Sequence, residues 1–204
     1  MEKNTIDDIY DKTPNAKDFA RSYCKYLGEL LLKLDYEAIE GMIDYILSAR
    51  ANDKKVYIIG NGGSAATSSH MANDFAIGTT RVTKKPFQFI SLTDNNAVIT
   101  AIANDFGYEL IFTKQLEVLM KRGDLLIAIS ASGNSENIIQ AVEYATSLGN
   151  KVIGLTGFDG GKLSKISNVC INVETPKGEY GPVEDIHMVL DHLISNYLNK
   201  HVKD

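Results

Sequence analysis

Lys55-Val-Tyr-Ile-Ile-Gly-Asn-Gly-Gly-Ser64 is the stretch that decides the fold. A short apolar run, rich in β-branched residues, stops at a glycine. Such a run is too short for a buried helix and suits a strand covered on both faces. Helical spacing then resumes over Ala65–Ile77. Strand, glycine turn and helix in immediate succession open a parallel α/β unit.

The same alternation continues outward. Phe87–Leu92, Asp124–Ile129, Lys151–Leu155 and Val169–Val173 read as four further strands. Helices are expected over Asn96–Ala103, Glu109–Met120, Asn134–Leu148 and Val183–Leu198, the last with Pro182 at its first turn. Upstream, Phe19–Arg50 carries apolar residues at helical spacing and reads as two helices broken near Lys33–Asp35. Residues 1–17 form a polar lead. Strands separated by helices imply one α/β domain over residues 1–204, a five-stranded parallel sheet with helices on both faces. In such a sheet a ligand sits at the carboxyl ends of the strands.

Composition narrows the function. The chain has 204 residues, 44% hydrophobic and 23% charged, with net charge −5. That charge argues against binding a nucleic-acid backbone through a basic face. No apolar run approaches the ~18 residues of a membrane span. The acidic start lacks the basic and apolar parts of a secretory signal, and a cytoplasmic location is expected from the two cysteines, which form no Cys-x-x-Cys pair. Cys24 and Cys170 stand far apart and are expected as two buried thiols rather than a disulfide.

Two loops point to an anion. In Gly60-Asn61-Gly62-Gly63-Ser64 the glycines let the backbone turn tightly and come close to a ligand. The following helix start offers unpaired N–H groups and a favourable dipole. Ile129-Ser130-Ala131-Ser132-Gly133-Asn134-Ser135 also follows a strand and precedes a helix, and brings three hydroxyls. A simple N-cap needs one serine, so three favour a phosphate ligand. The first loop has no Walker lysine, which argues against a nucleoside triphosphatase. Gly60-x-Gly62-x-x-Ala65 loosely fits a dinucleotide fingerprint, but Thr80, Arg81 and Val82 stand where that fold wants an acidic residue.

The titratable residues cluster as well. His70 and Asp74 are four apart on one helix face and suit a metal or an acid–base pair. Glu184-Asp-Ile-His187-Met-Val-Leu-Asp191-His192 places two of the four histidines and three carboxylates on the last helix. His187 and Asp191, four apart, read as a surface pair, His187 reads equally as a buried, hydrogen-bonded residue, and His201 reads as a solvated one.

These motifs, in this order, resemble the phosphoheptose isomerase family, a branch of the SIS (sugar isomerase) domain proteins. The resemblance runs through Gly-Asn-Gly-Gly-Ser, His70, Ala103-Asn104-Asp105-Phe106-Gly107, the serine loop, Leu155-Thr156-Gly157-Phe158-Asp159-Gly160-Gly161-Lys162 and Asp185-Ile-His187, over roughly residues 20–200. It implies a flavodoxin-like three-layer fold, a homotetramer, and conversion of sedoheptulose 7-phosphate to a heptose 7-phosphate for lipopolysaccharide, capsule or S-layer. By resemblance, Ser64, Ser130, Ser132 and Ser135 bind the phosphate. Asn61, Gly62, Gly63, Asn104, Asp105 and Glu184 complete the substrate site. Zinc falls on His70, Asp74, Glu184 and His192, and the acid–base pair is Asp74 and His192.

The chain departs from the family at four places. Asp74 stands for a glutamate and Glu184 for a glutamine. Arg81 lies three residues beyond the family's arginine, and Gly181 replaces an acidic residue. Glu184 and His192 are eight residues apart, about 12 Å along a helix axis and ~80° around it. Serving one metal then needs an irregular first turn or a partner subunit. Two other functions share these loops. One is isomerisation of a different sugar phosphate. The other is a non-catalytic SIS protein that binds the bacterial replication initiator and lacks the catalytic pair.

Overall fold

A computed structural model describes residues 4–203; the first three residues of the expected 1–17 lead lie outside the described residues. The five strands are β1 (Lys55–Gly60), β2 (Gln88–Ser91), β3 (Leu125–Ser130), β4 (Lys151–Gly157) and β5 (Val169–Val173). They pair in parallel in the order β2-β1-β3-β4-β5. This is the flavodoxin-like doubly wound order, in which the chain reverses between β1 and β3. The two phosphate-type loops follow those two strands, so both open at the switch point.

Alternation along the strands builds two cores. Val56, Ile58, Leu125, Ile127, Ile129, Ile153 and Leu155 face one way. They pack under α2 (Ala16–Leu31), α3 (Tyr36–Ala51), α4 (Gly63–Ala72) and α9 (Tyr180–His201). Tyr57, Ile59, Leu126, Ala128 and Val152 face the other way. They meet α5 (Asn96–Asp105), α6 (Thr113–Leu119), α7 (Glu136–Ser147) and α8 (Gly161–Ile166). Each such side chain taken from water contributes about 1.5–3 kcal/mol. That is why the strands read as unbroken apolar runs.

Three features differ from the sequence reading. The polar lead contains a helix, α1 (Thr5–Lys12), because Asn4 and Asp7 form a reciprocal capping box. Its start is tied to the body of the protein by the Thr5 N–H, which donates to Glu179. The stretch 161–166 is helical, and only six residues long, too short for its periodicity to register. Neither cysteine is fully buried as expected: Cys24 is exposed on α2 and Cys170 is half-buried on β5, and both are free thiols. The helix break expected at Lys33–Asp35 lies between α2 and α3, where Asp35 caps α3 through the Ala38 N–H.

Candidate functional site

Gly62 has φ +56°, a left-handed angle that glycine adopts without strain, and it stands at the N-cap of α4. No side chain caps this helix. The same holds for α7, whose N-cap is Ser135, and for α9. All three amino ends meet at one pocket of about 130 Å³, lined by Asn61, Ser64, Ser130, Ser132, Ser135 and Glu184 among others. Three open helix starts and four hydroxyls form a concave anion cradle. Ser130 and Ser135 hydroxyls lie 3.3 Å apart.

The two loops are locked together by amides. Asn61 Nδ2 donates to Asn137 Oδ1 at 2.9 Å, and Asn137 Nδ2 returns a bond of 2.9 Å to Asn61 Oδ1. Tyr108 Oη donates to the same Oδ1 at 3.0 Å. Asn61 thus spends most of its hydrogen-bonding capacity on joining loops. Neither Asn137 nor Tyr108 stood out in the sequence, because nothing local distinguishes a buried amide partner from an ordinary helix residue. Asn104 and Asp105 bond to each other at 2.7 Å at the exposed end of α5, apart from the cradle lining.

Helices α4 and α9 run side by side in the same direction. At their amino ends Glu184 lies over Gly63 so closely that a Cβ on Gly63 would collide with its carboxylate. Burial first, and the Asp185 charge second, push the Glu184 carboxyl above the usual range. That lessens its repulsion of an anion in the cradle.

Two turns further along, the helices bring their histidines together. His70 Nε2 is 3.2 Å from His192 Nε2. It is 3.5 Å from Asp74 Oδ2 and 3.4 Å from Asp191 Oδ2. Asp74 sits on a π-helical turn, Asn73–Ile77, that follows α4 directly. Such turns recur at functional sites, where one widened turn re-aims a side chain. His70, Asp74, Asp191 and His192 each offer one ligand atom within 4.8 Å of the others. Of the four expected metal ligands, three are therefore assembled. Glu184 stands apart at the cradle, and α9 is continuous through it. Asp191 joins the group instead.

The donor set fits a cation. Histidine nitrogens and carboxylate oxygens are both ligands that zinc takes. In a tetrahedron with metal–ligand bonds of ~2.1 Å, neighbouring ligands stand about 3.4 Å apart, the scale of the separations around His70. Asp191 is fully buried, and both its oxygens lack a hydrogen-bond donor. Burial, reinforced by Asp74, pushes its pKa up to about 6 against the opposing pull of His70 and His192. A buried carboxylate without a donor is what a bound cation relieves.

Arg81 lines a neighbouring cavity of about 360 Å³ with Asp74, His192 and Lys200. His187 is buried one turn before Asp191 on α9, with Nε2 3.1 Å from the Thr156 carbonyl oxygen. Burial pushes its pKa down to about 4, so it is a neutral core residue. Asp159 accepts from the Gly161 N–H and shapes the loop before α8, while Lys162 pairs with Glu143 at 2.7 Å and ties α8 to α7. His201 stacks on Tyr197 in the last turn of α9.

Comparison with known proteins adds context. The SIS domain family matches residues 22–157. The chain is 37% identical over 163 residues to the phosphoheptose isomerase of Aliarcobacter butzleri, covering 80% of this chain and 85% of that one. It is similar to the solved phosphoheptose isomerase of Neisseria gonorrhoeae, with TM-score 0.77 and 32% identity over 91% of this chain and 96% of that one. The Francisella tularensis phosphoheptose isomerase is similar too, with TM-score 0.79 and 29% identity over 91% and 99%.

Proposed function

We propose that this chain, which belongs to the SIS domain family and stands among its phosphoheptose isomerases, interconverts D-sedoheptulose 7-phosphate and D-glycero-D-manno-heptose 7-phosphate. The product supplies heptose for lipopolysaccharide, capsule or S-layer. One observation carries the reading: an anion cradle and a His–Asp cluster lie at two stations along the parallel helices α4 and α9. Gly63 and His70 are seven residues apart on α4, about 10 Å at 1.5 Å per residue. From the phosphorus to C2 of an extended heptulose 7-phosphate is roughly 9 Å with bonds near 1.5 Å. A phosphate held in the cradle thus sets C1 and C2 beside the cluster.

In this reading Ser64, Ser130, Ser132 and Ser135, with the helix starts around Gly62 and Gly63, bind the phosphate. Asn61 fixes the loop geometry, Glu184 borders the phosphate in the cradle, and Asn104 and Asp105 meet the sugar. The reaction takes a proton from C1 of the ketose, returns one to C2, and shifts a proton from O1 to O2. Asp74 and His192 carry those protons. Histidine is the side chain that titrates nearest neutrality and so can take and release one. His192 Nε2 has a single lone pair, so it would carry a proton in the metal-free protein, and with an ion held on it that role would pass to Asp74. Asp74 has a second oxygen, Oδ1, held by Asn73 Nδ2 at 2.9 Å. When bound, a divalent ion of the zinc type supplies positive charge that stabilises the negative charge developing on the sugar oxygens.

The enzyme is read as a single SIS domain, cytoplasmic and homotetrameric, acting on a small sugar phosphate without nucleic acid or membrane. Exposed Phe106, Val118 and Leu119 are apolar side chains of the kind a subunit contact covers. Among the described residues no helix is long and apolar enough to cross a membrane. A panel of ketose 7-, 6- and 5-phosphates tests the substrate. The highest kcat/KM is expected on sedoheptulose 7-phosphate. A preference for a shorter sugar would transfer the enzyme to the second reading, another SIS isomerase.

A further inference from the structure

We infer that Asp191, and not Glu184, completes the cation site of this chain. The inference rests on the reading of the His70–Asp74–His192 cluster as a cation site, and it changes which residue of α9 joins it.

The family pattern points to position 184, but helix geometry separates that position from the cluster. Helix α9 is continuous from Tyr180 to His201. Eight residues of it carry Glu184 about 12 Å from His192 along the axis. The Glu184 carboxylate is held against Gly63 and lines the cradle. It is therefore at the phosphate end of the site, two turns from the histidines.

Asp191 is adjacent to His192 in the chain and turns inward. Its side chain is fully buried and its Oδ2 lies 3.4 Å from His70 Nε2. Neither oxygen receives a hydrogen bond. Buried polar groups almost always find a partner, and a carboxylate without one is strongly destabilised. The groups facing it from α4 and the π turn are His70 and Asp74, and from α9 His192. A second carboxylate cannot satisfy it. A cation at the common centre of the four would satisfy Asp191 and Asp74 together. It would also remove the close approach of two ring nitrogens at 3.2 Å, which in the neutral histidines requires one to donate. The result is a charge-balanced site of two neutral imidazoles and two carboxylates around a divalent ion, with no contribution from Glu184.

The experiment measures metal rather than turnover. The full-length protein is stripped with a chelator and reloaded with zinc. Zinc per protomer is then measured by elemental analysis, and affinity by competition with a chromophoric chelator. Cobalt reloading gives the visible band intensity of a four-coordinate site. Wild type, Asp191→Asn and Glu184→Gln are compared, with Asp191→Leu as a second variant that removes the carboxylate without leaving a polar atom. Melting of the metal-free forms confirms that each is folded. Asp191→Asn and Asp191→Leu are expected to bind zinc roughly 100-fold more weakly or worse and to lose the cobalt bands. Glu184→Gln is expected to stay within about threefold of wild type, since Glu184 lies two turns from the histidines and against Gly63, neither a ligand nor bonded to one. Folded Asp191 variants that keep wild-type affinity would overturn the inference and leave the cation reading intact. So would loss of zinc in Glu184→Gln, which would put Glu184 in the shell, reached from a partner copy. A wild-type protein that takes no cation would overturn both.

Discussion

The cradle at the amino ends of α4, α7 and α9 and the cluster two turns below it are built on opposite principles. Cradle residues come as contiguous loops, Gly60–Ser64 and Ser130–Ser135, each placed by the strand before it. Their polar groups are largely local, and the two loops are tied by the Asn61–Asn137 amide pair. The cluster draws His70 and Asp74 from one helix and Asp191 and His192 from another, 122 residues on for the two histidines. It leaves Asp191 unsatisfied. A region complete in itself binds; a region left incomplete is waiting for charge. That difference separates affinity from chemistry along the same pair of helices.

The comparison breaks first on His192. His192→Ala is expected to lower kcat by about 10³-fold, the scale of a lost acid–base group, while KM for the sugar phosphate stays within a few-fold. Steady-state kinetics on sedoheptulose 7-phosphate check the split. A large rise in KM with kcat preserved would show that the cluster binds rather than reacts.

His187, on the same helix but in the core, is the control for a histidine that belongs to neither region. Its pKa is depressed from 6.5 to about 4 by burial. The unfolded chain takes up the proton first as pH falls, so stability is intact above about 6.5 and is lost progressively down to about 4. The full loss is roughly 3 kcal/mol. In His187→Gln that part of the acid slope should vanish. Denaturant melts at pH 7 and pH 4.5 measure it, and an unchanged slope would place the titration elsewhere.

Gly63→Val sharpens the cradle side. The added side chain meets the Glu184 carboxylate, and the two helix starts must part. A stability loss of about 2 kcal/mol is expected, with a higher KM, because overpacking of a tight contact costs that much. Glu184→Ala in the same chain should restore part of the loss. The smallest effect is Ser132→Ala: a rise in KM of roughly tenfold, equivalent to one hydrogen bond to a charged group, at unchanged kcat. If kcat falls instead, the cradle takes part in the chemistry and the division of labour fails.

Much of this was readable along the chain. The five strands announce themselves as apolar runs because a doubly covered sheet needs no polar face. The cradle is visible because glycine and serine at a strand's end have a local reason to be there. His70 and Asp74 show by their i,i+4 spacing. The metal set was read with Glu184 because a family pattern aligns positions, and positions carry no account of which face of α9 looks at which station. The eight-residue spacing already placed Glu184 and His192 two turns apart. What it could not reveal was that Asp191, expected with His187 as a surface pair, turns into the core beside His70, because the spacing fixes a shared face but not what covers it. Helix α1 was missed for a similar reason: its amphipathic face is short, and its cap is a reciprocal pair of ordinary polar residues.

The sequence by itself determined the parallel sheet, the two loops at its switch point and the residue types a phosphate and a cation need. Those follow from local periodicity, turn chemistry and side-chain inventory. Only the tertiary structure decided which carboxylate meets the histidines and which covers the glycines. The reason is physical: α4 and α9 pack in one direction, so seven residues on one helix match eight on the other. That register is fixed by the core between them and is written in no single stretch of the chain.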